Sequence, residues 1–525
     1  MEKLDESPGL ESIIMMLAGN LLKGAGIDIS LERDREISDI QLDSRKVGRR
    51  SLFLAMKGSA TDGSCFISEA ISRGACLVLT DSHEKRQDDQ VIYIQDLRKK
   101  APFILNTFFG DPIARLQCTG VTGTNGKTTV ARLAASVFQA RGHKVISLGT
   151  IDNSIDGEFM PARLTTPDPV ELMTLIQQGV QKGCDILVLE ASSHALDQDR
   201  LSAISFSRAV FTNLTQDHLD YHKNFEDYFQ AKKKLFADLL DGKGVAVINA
   251  DSSYGRRLLE ELSCSRFTFS QENRETAGPE VDLTLEHHEI SLQGTKLKVM
   301  YRSREYTFMS KLIGRINLEN LLAVIALGFS LDMTHEEIGR GIYAVRVPGR
   351  NEVIALPNGA IAMVDYAHTP DALKRVLSSV REIVPGSLVC VFGCGGDRDR
   401  SKRGIMGKTV EELSDLALVT SDNPRTEDPN DIIKEILGGF EHPEKTKVCP
   451  DRAGAIKMCL ERLKPGDCGV IAGKGHEDYQ IIGMEKRHFS DREQVMEWVK
   501  EQDAGVSRRP TSGGTMAGRG DQVSE

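Results

Sequence analysis

The stretch Gly120 to Thr129, reading GVTGTNGKTT, restricts this chain more than any other feature. It lies between a strand-like segment around Gln117–Val121 and a helical pattern. That pattern puts Val130, Leu133, Ala134 and Val137 on one face, with Gly142 as the expected stop. Glycines let backbone N–H groups turn toward an anion, and the helix N-terminus adds a favourable dipole. Lys127 can neutralise β/γ-phosphate charge, and the Thr128 hydroxyl can ligate Mg²⁺. The candidate nucleotide contacts are Gly123, Thr124, Asn125, Gly126, Lys127, Thr128 and Thr129. The spacing departs from the strict Walker form, because Val121 stands five places before Gly126 and glycines fall at 120 and 123. A plain strand-to-helix turn is the bland alternative; Gly-Lys-Thr-Thr in a strand–loop–helix setting is the more specific signal.

Strand-like runs alternate with helical stretches on either side of this loop, the signature of parallel α/β construction. A first block to about Leu116 is mixed, with strands expected at 51–56, 76–80 and 91–94. A second block carries strands at 144–148, 185–190, 209–213 and 244–251. An antiparallel-looking patch and a helix at about Asn317–Leu331 follow. A third block has near-continuous apolar runs at 360–365, 387–393, 416–420 and 468–473, as expected of strands covered on both faces. The expected division is 1–115, 116–346 and 347–503, with a polar, glycine-rich tail at 504–525 read as disordered. Length agrees with several domains, since 525 residues exceed one ordinary unit.

Charge and cysteine usage narrow the class. With 66 basic against 76 acidic residues, the net charge of −10 argues against a general nucleic-acid binder. The N-terminus lacks the pattern of a signal peptide, and no run approaches a membrane span. Ten cysteines are scattered, and Cys390 and Cys394 have no second pair, so free thiols in a reducing cytoplasm are expected rather than zinc.

Several polar groups sit where α/β sheets bind ligands, beyond the carboxyl ends of strands. Glu190 ends an apolar strand after the phosphate loop, the usual place for an acidic Mg²⁺ partner. His218 is either a second ligand or a satisfied structural histidine. Lys233 and Lys234 read as a solvated basic face. In the third block, Asp365, GCGGDRDR (393–400), SDNPR (421–425) and GKGHE (473–477) all follow strands.

GTNGKTT, TTPD (165–168), EASSHALDQDR (190–200), TNLTQDHLDYH (212–222), GRINLENLLA (314–323), VPGRNE (347–352), VDYAHTPDAL (364–373), GCGGDRDR, SDNPRTEDP and AGKGHEDYQ occur in this order. Together they resemble the Mur ligases, ATP-dependent amide-forming enzymes of peptidoglycan synthesis. The resemblance implies three α/β domains: an N-terminal mixed UDP-binding domain, a central P-loop ATPase domain and a C-terminal Rossmann-like domain. It implies uridine-nucleotide contacts at Ser44, Ser59, Ala60 and Thr61, and muramoyl-dipeptide contacts at Thr165, Thr166, Ser192, Gln198 and Arg200. Lys232 matches a lysine carbamylated by CO₂, which would ligate Mg²⁺ with Thr128, Glu190 and His218. Asn320 matches an adenine contact, and Arg350 and Asp365 are expected to reach the nucleotide.

The DNPR form at Asp422, Asn423, Pro424 and Arg425 is that of members adding meso-diaminopimelate, with Arg398, Gly473 and Glu477 as further contacts. Arginine can clamp the distal carboxylate with paired hydrogen bonds, and Glu477 can accept from an ammonium. The implied reaction joins this amino acid to the D-glutamate γ-carboxylate of UDP-N-acetylmuramoyl-L-alanyl-D-glutamate through an acyl phosphate. Its catalytic set is Lys127, Glu190, His218 and Lys232. His368 either positions phosphate, carries a proton or packs. The expected partners are these small molecules, with no nucleic acid and no membrane insertion, for a cytoplasmic monomer. Alternatives are an L-lysine-adding member, a folylpolyglutamate synthetase-like ligase, or an ATP-binding regulatory protein that forms no bond.

Overall fold

The computed structural model describes residues 14–58, 61–82, 88–215, 217, 221–291, 293–345, 349 and 352–506. Ser59, Ala60, His218 and Arg350, and the tail from 507, lie outside the described residues. The chain divides into two compact units, Met1–Val345 and Arg346–Glu525.

The first unit carries two main sheets. Four parallel strands, Asp39–Gln41, Ser51–Ala55, Ala75–Thr80 and Val91–Tyr93, pair in chain order. The larger sheet has 11 strands, and Gln117–Thr122, which leads into the phosphate loop, runs parallel between Ile186–Glu190 and Phe206–Phe211. Ile186–Glu190 is buried throughout, which explains its unbroken apolar run. The antiparallel patch forms Leu283–Ser291, Gly294–Tyr301 and Arg304–Ser310 at one edge. At the other edge lies a hairpin that the sequence pattern did not disclose, Asp152–Ile155 with Glu158–Pro161. Its strands have four residues each; the cue was Asp156-Gly157, both at positive φ (51° and 87°), as a tight hairpin turn requires.

The first two sequence blocks have separate sheets but share a core. One apolar cluster runs from Leu21, Leu52 and Ile104 to Leu172, Leu201 and Phe206. The helix Leu97–Phe108 packs on Pro169–Gln181, so burial joins what the strand pattern separated.

The phosphate-loop helix spans Lys127–Ala140 and buries the expected face, with Val130, Leu133 and Ala134 fully inaccessible. Gly142 follows at φ 98°, a conformation that stops the helix at low steric cost. Against this helix lie Ile316–Phe329, buried around almost its whole circumference, and His335–Ala344.

The second unit is built on a six-stranded sheet. Ile361–Asp365, Cys468–Ala472, Leu388–Phe392, Leu416–Val419 and Thr446–Val448 run parallel, and Glu352–Ala355 pairs antiparallel at the edge. Strand Cys468–Ala472 lies between two strands that precede it in sequence, so loops of different origin meet at its carboxyl end. Underneath, the fully buried Arg452 donates to both oxygens of buried Asp491, each at 2.7 Å. Among the described residues no helix is long and apolar enough to cross a membrane.

Gly341 tests the seat of the phosphate-loop helix. A Cβ there would lie 2.5 Å from the Val137 Cα, a backbone atom that cannot swing aside. Gly341→Ala should therefore lower the urea midpoint by an amount equivalent to about 1–3 kcal/mol. An unchanged midpoint would show that the two helices do not approach this closely.

Candidate functional site

The phosphate loop is shaped by two left-handed or near-extended glycines and braced by its neighbours. Gly123 has φ 152° and Gly126 φ 86°. A side chain at Gly123 would strike the Thr212 hydroxyl, and one at Gly126 the Asn320 carboxamide. Asn320 thus stands against the loop. The Thr124 amide donates to the Asn213 carbonyl (2.8 Å) and the Asn125 amide to Asn213 Oδ1 (2.9 Å). Lys127 folds back, its Nζ donating to the carbonyls of Gly123 (3.1 Å) and Thr124 (2.8 Å). Thr129 is buried on the same helix.

Glu190 is buried where its strand ends, and its carboxylate is the hub of the site. Oε2 accepts from the Thr128 hydroxyl (3.0 Å) and the Thr150 hydroxyl (2.9 Å), and Oε1 accepts from the Thr150 amide (2.8 Å). The Thr150 hydroxyl also reaches Thr165 (3.2 Å), and the Thr166 hydroxyl donates to the Glu190 carbonyl (2.6 Å). Glu190 therefore connects the phosphate loop to two of the expected dipeptide contacts, to Thr165 by way of its carboxylate and Thr150 and to Thr166 by its main-chain carbonyl. Thr150 was not among the expected residues; a threonine after an apolar strand carries no signal of its own.

Lys232 lies on the helix Phe225–Ala237 with 1% of its surface exposed. Its Nζ donates to the Gly123 carbonyl (2.7 Å) and sits 4.4 Å from the centre of the Tyr228 ring. Burial, with Lys127 nearby, pushes its ammonium pKa well below the usual lysine range. Hard oxygen donors from Thr128 and Glu190 suit Mg²⁺. Among the described residues no three His, Cys, Asp or Glu side chains converge on one point.

A cavity of about 630 Å³ brings together some of the residues matched to the uridine nucleotide and two of those matched to the peptide, while Thr165, Thr166 and Ser192 are not in its lining. Ser44, Thr61, Gln198 and Arg200 all line it, with Arg45, Lys57 and Arg98 adding positive charge. Asp168 also lines it and caps the helix Pro169–Gln181 by accepting from the Val170 and Glu171 amides. This cap places Thr165 and Thr166 just upstream. Arg200 donates to Gln198 Oε1 (2.6 Å) and the Thr166 carbonyl (3.0 Å). Ser192 caps the short helix Ser193–Asp197, and its hydroxyl lies 3.0 Å from the Thr166 hydroxyl.

In the second unit the predicted amino-acid contacts come together at the carboxyl ends of the strands. Asn423 Nδ2 donates to Glu477 Oε2 (2.9 Å), and a Cβ on Gly473 would lie 2.6 Å from Asp422 Oδ2. Arg425, after Pro424, donates from Nη1 to the Gly396 carbonyl (2.7 Å), within the loop that carries Arg398. Burial raises the Glu477 pKa, opposed by Lys474. Lys474, also missed in the sequence, is wholly buried and donates to Asn423 Oδ1 (3.1 Å). Asp365 ends its strand and accepts from the Ala367 amide (2.8 Å). His368 is exposed, its Nδ1 2.8 Å from the Tyr366 carbonyl. Cys390 and Cys394 are both buried thiols, and burial pushes Cys394 up to about 12.

Comparisons with known proteins place the chain in a family. Models of the Mur ligase family catalytic domain, the Mur ligase middle domain and the Mur ligase glutamate ligase domain match residues 36–106, 121–328 and 349–475. A UDP-N-acetylmuramoyl-L-alanyl-D-glutamate–2,6-diaminopimelate ligase of Parabacteroides distasonis is 40% identical over 96% of this chain and 100% of its own length. A solved structure bearing the same enzyme name has 31% identity and a TM-score of 0.69, covering 93% of this chain and all of that one. A Mycobacterium tuberculosis folylpolyglutamate synthase complexed with ADP and AMPPCP has a TM-score of 0.57 over 72% of this chain and 92% of its own. Its 18% identity shows a shared fold and nothing finer. The chain belongs to the Mur ligase family.

Proposed function

We propose that this chain is the ATP-dependent ligase that adds meso-2,6-diaminopimelate to the D-glutamate γ-carboxylate of UDP-N-acetylmuramoyl-L-alanyl-D-glutamate. The observation that carries the reading is the Glu190 junction, which ties the phosphate loop at Thr128 to Thr165 through Thr150. Such a junction suits transfer of a phosphoryl group to an acid held beside the loop. The near-full-length likeness to relatives named for this reaction supports the same substrates.

A carboxylate does not lose oxide to an amine, so it must first gain a leaving group. The γ-carboxylate oxygen attacks the γ-phosphorus of ATP in line, the bond to the β-phosphate oxygen breaks, and ADP leaves an acyl phosphate. The diaminopimelate amine then attacks the acyl carbon, and the tetrahedral intermediate expels inorganic phosphate. Loop amides and Lys127 stabilise the charge that builds on the phosphates. Asn320 faces the adenine, with Asp365 and Arg350 as further nucleotide contacts. Ser44, Thr61 and the residues at 59–60 hold the uridine nucleotide, while Thr166, Ser192, Gln198 and Arg200 hold the peptide. Thr128, Glu190, His218 and a carbamate on Lys232 would hold Mg²⁺, which when bound screens repulsion between the acceptor carboxylate and the triphosphate. Burial and the nearby Lys127 disfavour the Lys232 ammonium, and the neutral amine is the form that reacts with CO₂. We assign the enzyme to the cytoplasm, acting as a monomer.

Arg425 and Arg398 would clamp the distal carboxylate that L-lysine lacks, and Asp422, Asn423, Gly473 and Glu477 would place the ammonium of the amino acid. A lysine substrate leaves such an arginine unpaired, at a cost of about 1–3 kcal/mol. With purified protein, sustained turnover of ATP to ADP with release of tripeptide should require both the UDP-muramoyl dipeptide and an amino acid. meso-Diaminopimelate should exceed L-lysine in kcat/KM by roughly 10- to 100-fold. ATP binding without turnover would favour a regulatory protein, and a preference for L-lysine would overturn the assignment of Arg425. Lys232→Ala should lose activity that bicarbonate cannot restore and short carboxylic acids partly rescue; full turnover in that variant would refute the carbamate.

A further inference from the structure

The loop assigned above to amino-acid selection does not hold its own shape. Arg425 sits at φ 52°, a left-handed conformation that costs a side-chain-bearing residue free energy unless its surroundings impose it. The imposing element is the hairpin Tyr479–Ile482 with Glu485–His488, which belongs to neither edge of the six-stranded sheet. Its first strand grips the loop at successive points. The Arg425 amide donates to the Ile481 carbonyl (3.1 Å), and the Gly483 amide donates to the Arg425 carbonyl (2.7 Å). The Ile481 amide donates to Asn423 Oδ1 (3.0 Å). Gln480 alone sends a side chain to the loop's main chain from this strand, its Nε2 donating to the Asp422 carbonyl at 2.7 Å, among the described residues.

Core formation does not account for this grip. The outer strand is exposed at every position, and Ile482 and Met484 keep 40% and 94% of their surface. A hairpin with so little burial is marginal alone, and its contacts with residues 422–425 help to anchor it. The same contacts fix the direction in which Arg425 leaves the main chain.

We propose that Gln480 is a positioning residue for amino-acid selection: it pins the Asp422 carbonyl and so holds Arg425 aimed at the distal carboxylate of the incoming amino acid. The inference rests on the substrate reading above. Gln480 itself touches no substrate in this account, and its effect passes through the loop. Removing the bond lets residues 422–425 relax, which costs the two-ended amino acid its clamp and leaves a one-ended amino acid almost unaffected.

Steady-state kinetics of the full chain test this with two variants. Gln480→Met keeps the volume and removes the donor; Gln480→Glu sets a carboxylate against the Asp422 carbonyl. The KM for meso-diaminopimelate should rise about 3- to 10-fold in Gln480→Met and further in Gln480→Glu. The KM values for ATP and the UDP-muramoyl dipeptide should not move, and the preference over L-lysine should narrow. An unchanged KM and preference would overturn the proposal. So would an equal loss for all three substrates together with a lower melting temperature, the mark of a merely structural role. If the unaltered enzyme showed no preference for meso-diaminopimelate, the substrate reading itself would fail; a preference that survives both variants would sink this inference alone.

Discussion

A buried carboxylate needs partners for both of its oxygens, and in this chain the partners of Glu190 are what bring the catalytic parts into register. Thr128 comes from the first turn of the phosphate-loop helix, and Thr150 from the loop after Val145–Leu148. Thr150 passes the connection on to Thr165. Three segments far apart in sequence are thus referred to a single strand end. The packing obeys the same demand: a Cβ at Gly149 would collide with Glu190 Oε1, so the backbone there must stay bare. Leaving such a carboxylate without its partners would cost about 1–3 kcal/mol or more, and the surrounding loops are built to avoid that cost.

A second pair of buried charges serves the other unit in a comparable way. Burial by itself would lower the Arg452 pKa, but the ion pair with Asp491 raises it, so the guanidinium stays charged. It donates as well to the Ala472 carbonyl (2.9 Å), at the strand end that precedes Gly473. Lys474, equally buried, orients Asn423 and Glu477. The loops at 422–425 and 473–477 therefore rest on cations that never meet solvent. Asp422 and Asn423 are themselves buried and Arg425 half-buried, so the geometry of these loops is set by the layer below.

Much of this was legible in the sequence because particular residues have few alternative uses. Glycines at 123 and 126 before Lys127 announce a phosphate loop, and an acid closing an apolar strand announces a partner for it. Unbroken apolar runs such as 186–189 could only be strands covered on both faces. Other features left no such trace. Arg452 and Asp491 stand far apart in sequence and look like surface charges; burial, which only the fold creates, gives them their role. The core shared by Leu97–Phe108 and Pro169–Gln181 depends on long-range packing, which periodicity does not encode. Thr150 and Gln480 act through single hydrogen bonds made after the chain has folded.

Chemistry at the Glu190 junction makes one claim above the others: the D-glutamate γ-carboxylate becomes an acyl phosphate before the amine arrives. Labelling that carboxylate with heavy oxygen and following the label through one turnover tests it directly. The account predicts one labelled oxygen in the inorganic phosphate released and one retained in the new amide. Phosphate free of label, with amide formed, would contradict it.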